Sequence, residues 1–476
     1  MKNSITKNYL YNLVYQILLI ILPIITTPYL ARTIGPNGTG IYSYTISIVT
    51  YFILFGSLGI AMYGQREIAF NHKNKENRTR VFTSVFILRV ITMSISMILF
   101  YFMFARTGEY STYYKILLLE MFANVIDISW FFQGMEEFKK TATRNIIVKL
   151  LSVICIFIFV KTPNDVRKYL GIYVGTTLFG NIVLWIGLRK YICKIQLKNL
   201  NILKHLRETI ALFIPQIAIQ VYTVLDKTMI GAITNNMTEV GYYEQSQKII
   251  KILLTLITAL GTVMMPRIAK LYADGDKEEI KKYMYKTFQF VFMLAFPLVF
   301  GIISISEKFV PVFFGQGYDP VVNLLNITSL IIIFIGFSNV TGSQYLLSIK
   351  RQKEFTISVI CGAITNVILN SILIPNFKSL GACIGTIVAE GVVTAVQLYF
   401  VRKEFSIMKI LKCSIKYCIA AMCMFAVSLL IGIFIKSNMY SIVIQAAVGT
   451  AIYFGILLIT KDSMIVEMKN RFLKNN

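Results

Sequence analysis

The stretch LYNLVYQILLIILPIITTPYLA (Leu10–Ala31) contains no charged side chain. A helix that crosses the hydrocarbon core of a bilayer needs roughly 20 predominantly apolar residues. Because lipid offers no hydrogen-bond partner to backbone N–H and C=O groups, such a stretch must satisfy them within its own helix. The stretch therefore predicts a membrane-spanning helix. It shows no small-residue cleavage site before the next apolar run, so we expect it to be retained and not to be a signal peptide.

Similar apolar runs recur along the whole chain and are separated by short polar loops. The 476 residues are 56% hydrophobic and 15% charged, whereas about a quarter of the residues in a soluble domain are charged. The alternating pattern of a membrane β-barrel is absent, so the sequence predicts an all-α integral membrane protein with about fourteen spanning helices. The predicted spans lie near residues 10–31, 40–62, 81–104, 113–134, 145–161, 169–188, 208–233, 241–266, 285–304, 321–347, 355–375, 380–401, 413–435 and 440–460.

The net charge of +25 is distributed along the chain in a pattern typical of membrane orientation. Most Lys and Arg residues fall at the N-terminus, in the even-numbered loops and in the C-terminal tail, and the positive-inside rule then predicts that both termini are cytoplasmic. Basic segments such as residues 189–207 are interpreted as orientation signals and contacts to anionic lipids. No nucleic-acid partner is expected.

The spans divide into two bundles of six helices followed by two further helices. A short repeat supports this division, since TGIYSY (Thr39–Tyr44) resembles VGYYEQ (Val240–Gln245). Two bundles that enter the membrane in the same sense predict a central cleft and transport by alternating access. The predicted parts are an N-terminal lobe (1–188), a basic cytoplasmic linker (189–207), a C-terminal lobe (208–402), and two additional helices with a basic tail (403–476).

Several motifs that could indicate an enzyme are better explained by structure. The glycine-rich segment Gly35–Gly40 lacks the lysine of a phosphate-binding loop and is interpreted as a tight turn between spans. The acidic segment Asp274–Glu279 is interpreted as a solvated turn with acids at a helix start. The seven cysteines form no C-x-x-C pair, so we expect neither a zinc site nor a disulfide framework. We identify no catalytic constellation and expect no enzyme activity.

A small set of ionisable side chains lies deep inside the predicted spans. A charged group is costly in a bilayer unless it faces a bundle interior or water, so each is a candidate functional residue. The alternative is structural, because such residues also pack helices together or extend their charged ends to the membrane surface. The set comprises Arg89, Glu120, Asp127, Asp226, Lys227, Lys248, Lys251 and Glu390.

Two predicted spans carry polar residues at helical spacing, which gives each helix one polar face. The residues are Gln216, Gln220, Thr223 and Lys227 in the seventh span, and Asn12, Gln16 and Thr27 in the first. Polar faces on corresponding helices of the two bundles predict the walls of one cleft. Cations in that cleft favour an anionic substrate, since Lys and Arg bind phosphate groups, and the acids favour a coupling proton or sodium ion.

Three dispersed segments resemble the Wzx-type polysaccharide flippases of Gram-positive bacteria, within the multidrug, oligosaccharidyl-lipid and polysaccharide exporter superfamily. They are YLARTIGPNGTGIYSY (Tyr29–Tyr44), WFFQGMEEF (Trp130–Phe138) and FIPQIAIQVYTVLDKTMIG (Phe213–Gly231). The resemblance implies that the chain lies in the bacterial cell membrane. It also implies that the chain moves an undecaprenyl-diphosphate-linked oligosaccharide from the cytoplasmic to the outer leaflet for capsule or exopolysaccharide assembly.

The same resemblance implies partners and site residues. The partners are the lipid-linked oligosaccharide, membrane lipids, and the polysaccharide polymerase and glycosyltransferases of the pathway. No cofactor is implied beyond a coupling H⁺ or Na⁺. The implied roles are diphosphate binding by Arg32, Arg89 and Lys227, sugar binding by Gln216 and Gln220, and ion coupling by Asp226, Glu390 and Asp127.

Other functions remain open on the sequence alone. A multidrug exporter of the same superfamily would share the fold, but cationic drugs favour a cleft dominated by acids. A lipid II flippase differs only in substrate. A membrane-embedded polymerase or ligase would need a long external loop, and the longest here is residues 304–320. A structural scaffold would leave the polar helix faces unexplained.

Overall fold

The computed structural model describes residues 2–195, 200, 202–435 and 439–467, and these residues form helices and no strand. Inside these ranges, the side chains of residues 2–17, 20, 211–212, 214–223, 260 and 262–263 lie outside the description. The predicted all-α integral membrane class is confirmed. The chain divides into two compact units, residues 1–231 and 232–476. Unit 1 therefore includes most of the seventh predicted span, which the sequence division places in the C-terminal lobe.

Unit 1 contains the helices that precede Gly231. They are α1 (Lys2–Ser57), α2 (Ile60–Phe70), α3 (Lys75–Phe100), α4 (Ser111–Val125), α5 (Ser129–Gly134), α6 (Phe138–Phe159), α7 (Val166–Leu188) and α8 (Ile202–Thr234), the last of which ends in unit 2. A π-helical segment (Tyr101–Ala105) continues α3, and a 3-10 turn (Pro163–Asp165) leads into α7.

Unit 2 contains the remaining helices. They are α9 (Met237–Ala273), α10 (Lys277–Phe314), α11 (Pro320–Thr328), α12 (Ile331–Ser338), α13 (Gln352–Val401), α14 (Ile407–Phe434) and α15 (Met439–Ile459). A second π-helical segment (Asn339–Leu346) continues α12. The acidic turn predicted before α10 is confirmed, because the Asp276 side chain accepts a hydrogen bond from the Glu279 backbone N–H at 2.9 Å and so caps this helix.

Two long helices contain a sharp break where the sequence predicted a loop. In α1 the break is Gly35, whose φ of 70° is accessible to glycine at little cost. Pro36 follows at once, and its fixed φ suits the first turn of a helix. The predicted turn at residues 35–40 therefore contracts to Gly35 alone, with helix from Pro36 onward. In α13 the break is Lys378, with a φ of 51°.

The described residues include 11 helical stretches long and apolar enough to cross a membrane. Two of these, Ile21–Phe70 and Gln352–Val401, are 50 residues long and contain the breaks at Gly35 and Lys378, so each holds two spans. The seventh predicted span lies in α8, whose side chains are described only in part. The protein is a multi-pass membrane protein, and its spans correspond to those predicted from apolar run length.

An aromatic core holds one end of unit 1 together. Trp130 of α5 is fully buried and packs with Phe82 of α3, with 5.6 Å between ring centroids. Gly64 of α2 allows this packing, because a Cβ atom there would lie 2.4 Å from Trp130 Cε3. The segment WFFQGMEEF therefore begins as a short buried helix wedged between α2 and α3.

The described part of the linker is fastened to unit 1 by an arginine. Arg78 of α3 is buried, and its Nε and Nη2 donate to the backbone oxygen of Tyr191 at 3.1 and 2.6 Å. Its Nη1 donates to the backbone oxygen of His72 at 2.6 Å. Further along, His205 Nδ1 lies 2.6 Å from the Tyr63 hydroxyl. The chain that leaves α7 is thus held against α2 and α3.

Candidate functional site

A cluster of three charged side chains lies inside unit 1, contributed by three different segments. Arg89 comes from the middle of α3, Asp127 from the break between α4 and α5, and Arg144 from the first half of α6. Arg144 Nη2 lies 3.6 Å from Asp127 Oδ1, and Arg89 interacts electrostatically with the same carboxylate. Two cations therefore share one anion within the bundle.

The break that carries Asp127 is stabilised by neighbouring side chains. The end of α4 leaves backbone carbonyls without helical partners, and α7 supplies donors to two of them. Asn181 Nδ2 donates to Ala123 O and Trp185 Nε1 to Ile126 O, each at 2.7 Å. Asp127 itself accepts from the backbone N–H of Ser129 at 2.9 Å. The carboxylate is therefore held at the cluster by the local backbone, independently of the two arginines.

The two guanidinium groups keep hydrogen-bond donors that no protein atom uses. Arg89 is 3% exposed, and its Nε and Nη1 are buried without a hydrogen-bond partner. Arg144 Nε is likewise buried and unpartnered. A buried charged donor without an acceptor is costly, and a planar guanidinium is well shaped to bind the oxygens of a phosphate in pairs. The cluster can therefore accept an oxyanion.

A second layer of polar groups lies further along α4. Glu120 is buried, and its Oε1 lies 3.4 Å from the Asn124 Nδ2. Tyr173 of α7 and Lys149 of α6 face the same carboxylate. Asp127, just beyond the end of α4, acts electrostatically on Glu120. Ionisable groups thus continue from the arginine cluster toward the middle of α6.

Of the predicted site residues in α1 and α8, the side chains of Arg32, Asp226 and Lys227 are described. Asp226 is 5% exposed and faces Tyr51 of α1 electrostatically. The Tyr51 hydroxyl lies 3.2 Å from Thr228 Oγ1. Lys227 is half-buried and Arg32 is exposed. Gln216 and Gln220 lie outside the described side chains, so their predicted contact with sugar hydroxyls stays a prediction.

Glu390 lies in unit 2 on a buried polar face of α13. It is 8% exposed, and Thr394 and Gln397 follow it by four and seven residues. Thr394 Oγ1 donates to Phe334 O of α12 at 3.1 Å. Gln397 Oε1 accepts from Thr341 Oγ1 at 2.5 Å. The predicted ion-coupling carboxylate therefore borders a hydrogen-bonded polar layer.

The structure brings Arg89 and Asp127 together, although the sequence assigned them to different roles. It also adds two cations that the sequence analysis did not single out. Arg144 lies just before the predicted fifth span, which begins at residue 145, whereas α6 begins at Phe138. Lys149 lies inside that span as an isolated cation, with Asn145 and Ser152 at helical spacing on its own helix. A scan for single cations in apolar runs would have found Lys149.

Comparisons with known proteins agree with this architecture. A family model described as polysaccharide biosynthesis protein matches residues 5–272, and a model described as MatE matches residues 211–372. The chain is 28% identical over 415 residues to a putative O-antigen transporter of Escherichia coli (strain K12), covering 85% of this chain and 98% of that protein. It is 23% identical over 405 residues to the capsular polysaccharide biosynthesis protein CapF of Staphylococcus aureus, covering 84% and 100%.

A solved structure shows the same fold. The lipid II flippase MurJ, in an inward closed conformation, matches with a TM-score of 0.80 and 17% identity, covering 96% of this chain and 100% of that one. At that identity the likeness concerns the fold alone. Together the matches confirm the resemblance to polysaccharide flippases that the three sequence segments carry.

Proposed function

We propose, from the premise that this chain belongs to the polysaccharide biosynthesis protein family, that it is a flippase for lipid-linked oligosaccharides. In this proposal it moves undecaprenyl-diphosphate-linked repeat units from the cytoplasmic to the outer leaflet by alternating access, for capsule or exopolysaccharide assembly. The proposal agrees with the names of the relatives, which describe an O-antigen transporter and a capsular polysaccharide biosynthesis protein. The proposed location is the bacterial cell membrane, with both termini cytoplasmic as the distribution of Lys and Arg favours.

The observation that carries the proposal is the excess of buried cationic donors around Asp127. Arg89 offers two unpartnered nitrogens and Arg144 one. A cationic drug would be repelled by such a cluster, whereas a diphosphate would be attracted and would accept hydrogen bonds from it. The charge of the site therefore favours an anionic lipid-linked sugar over the cargo of a multidrug exporter.

The proposal includes coupling of transport to an ion. Asp226 and Glu390 are buried carboxylates in two different units and are the proposed sites for a coupling H⁺ or Na⁺. Asp127, the third predicted coupling residue, is held by Arg144 and Ser129, and these contacts favour a role in the arginine cluster.

The test is transfer of a lipid-linked oligosaccharide in proteoliposomes that contain only this protein. An added glycan-cleaving enzyme reports sugar on the far side, with and without proton and sodium gradients. We expect protein-dependent cleavage, lost in Arg89→Gln and retained in Arg80→Gln, which removes an exposed cation paired with Glu76. Transfer of lipid II in preference to oligosaccharide would indicate the lipid II flippase function. Absence of transfer together with export of cationic dyes would refute the proposal in favour of a multidrug exporter.

A further inference from the structure

We propose that Arg144 and Arg89 form a loading site, at which the diphosphate of the substrate first binds from the cytoplasmic leaflet. We further propose that Asp127 is an internal carboxylate that occupies this site when substrate is absent. The identity of the diphosphate rests on the proposed function. The site itself rests on the geometry of α3, α6 and the break between α4 and α5.

The three side chains differ in accessibility in the order that loading requires. The Asp127 side chain is 26% exposed and that of Arg144 is 13% exposed, whereas Arg89 is 3% exposed. An anion therefore meets Arg144 before it meets Arg89. The unpartnered Nε atoms of both arginines provide donors along this path.

Arg144 lies close to the start of α6. Arg144 lies six residues after Phe138, the first residue of α6, which corresponds to about 9 Å along the helix axis. With the orientation proposed above, this end of α6 is cytoplasmic. Amphipathic helices bury their apolar faces about 5–10 Å into the boundary between headgroups and acyl chains, which is similar to the distance of Arg144 from the start of α6. A diphosphate on a prenyl chain in the cytoplasmic leaflet thus lies level with the cluster.

Asp127 is suited to exchange with a stronger anion. Its Oδ1 is 3.6 Å from Arg144 Nη2, which is longer than a good charge-assisted hydrogen bond. When Arg144 turns to a ligand, the carboxylate keeps its hydrogen bonds to the backbone N–H and the hydroxyl of Ser129, at 2.9 and 3.1 Å. One carboxylate cannot neutralise two guanidinium groups, whereas a diphosphate brings more than one negative charge. The same competition limits how tightly the substrate is held and so permits its release.

The test is equilibrium binding to the purified full-length protein in detergent. The probes are undecaprenyl diphosphate, inorganic diphosphate and phosphatidylglycerol, and the variants are Arg144→Gln, Arg144→Lys and Asp127→Asn. Removing a charge-assisted hydrogen bond weakens binding by about tenfold or more, so we expect this loss for undecaprenyl diphosphate in Arg144→Gln. Arg144→Lys keeps the charge but not the paired donors, and we expect an intermediate loss. Arg80→Gln, the matched exposed cation, should bind normally.

Asp127→Asn provides the distinguishing result, because removal of the competing carboxylate should tighten binding. Weaker binding in both Asp127→Asn and Arg144→Gln would mean that the cluster only supports the fold, and the proposal would be overturned. If Asp127→Asn does not yield folded protein, the graded series from arginine to lysine to glutamine at residue 144 decides instead. Lysine and glutamine variants that bind like the unmodified protein would also overturn the proposal.

The three probes separate the possible sources of the anion. Binding of both diphosphates through Arg144 means that the phosphate groups alone are recognised, and binding of undecaprenyl diphosphate alone means that the lipid is needed as well. Either result supports the proposal. Equal binding of phosphatidylglycerol would show a general anionic-lipid contact and overturn it. Because the readout is binding, diphosphate binding through Arg144 without transfer in proteoliposomes would refute the flippase function and leave the site intact.

Discussion

Replacing Arg89 by methionine separates the cost of burying a cation from its use in transport. The side chain is 3% exposed, and two of its nitrogens are unpartnered. Each buried donor without an acceptor costs about 1–3 kcal/mol, so the substitution relieves a penalty of about 2–6 kcal/mol. It also removes the attraction to Asp127, which is worth at most about 4 kcal/mol for two charges at an effective dielectric constant of 20.

These opposing effects are similar in size. We therefore expect Arg89→Met to lower the free energy of unfolding by no more than about 2 kcal/mol, whereas removing one partner of an optimised buried ion pair costs about 3–5 kcal/mol. Transport should fall by about 100-fold or more, because two charge-assisted hydrogen bonds to the diphosphate are lost. The variant should thus be folded and inactive.

The free energy of unfolding can be measured in bicelles by steric trapping, and transfer in proteoliposomes with equal amounts of folded protein. Arg80→Met is the control, since it removes an exposed cation from the same helix. A loss of more than about 3 kcal/mol in Arg89→Met would show that Arg89 holds unit 1 together. Normal transfer by the folded variant would show that the substrate does not use Arg89.

Three further changes test the structure of unit 1. Arg78→Ala leaves the backbone oxygens of Tyr191 and His72 without these donors, at a cost of about 1–3 kcal/mol each. Proteolysis within residues 189–195 should therefore accelerate at least about tenfold; an unchanged cleavage rate would show that Arg78 does not hold this segment against α3. Gly64→Ala forces a methyl group against the Trp130 ring and should lower the free energy of unfolding by about 1–3 kcal/mol; unchanged tryptophan fluorescence and stability would argue against this contact. Burial lowers the pKa of His205 from its ordinary 6.5. The stability that its contact with Tyr63 contributes is therefore present above the pKa of the unfolded state and is lost as the pH falls through the lower pKa of the folded state. Thermal unfolding between about pH 8 and about pH 5 should show this loss, and His205→Gln should abolish it; the same dependence in the variant would assign it to another group.

The positions of the spans could be predicted because lipid imposes one strong requirement on the backbone. Any apolar run of sufficient length must be helical there, and this holds for the runs on both sides of Gly35 and Lys378. The connections were less predictable. The same glycine- and proline-containing segment is compatible with a loop or with a break of one residue between two helices. Only the backbone angles of Gly35 distinguish the two cases.

The candidate site was predictable one residue at a time but not as a cluster. Arg89 and Asp127 stand out as charges in apolar runs. In the structure Arg89 is buried and Asp127 is half-buried. Their approach depends on how α3, α4 and α6 pack, and no helical spacing links residues so far apart in the chain. The sequence did not single out Arg144, because hydropathy places the ends of a span where polarity rises. Helix α6 begins at Phe138, seven residues before the predicted start of the span at residue 145.

The one-residue joint at Gly35 determines how the topology of this protein can be mapped by labelling. A tag or epitope inserted between Pro36 and Gly40 would enter a helix and not a loop, so a negative signal there would report misfolding and not sidedness. The segments 106–110 and 315–319 are not helical. In the proposed orientation they lie on the same side of the membrane as Gly35. Single cysteines or short tags placed in those segments would report orientation without dividing a span.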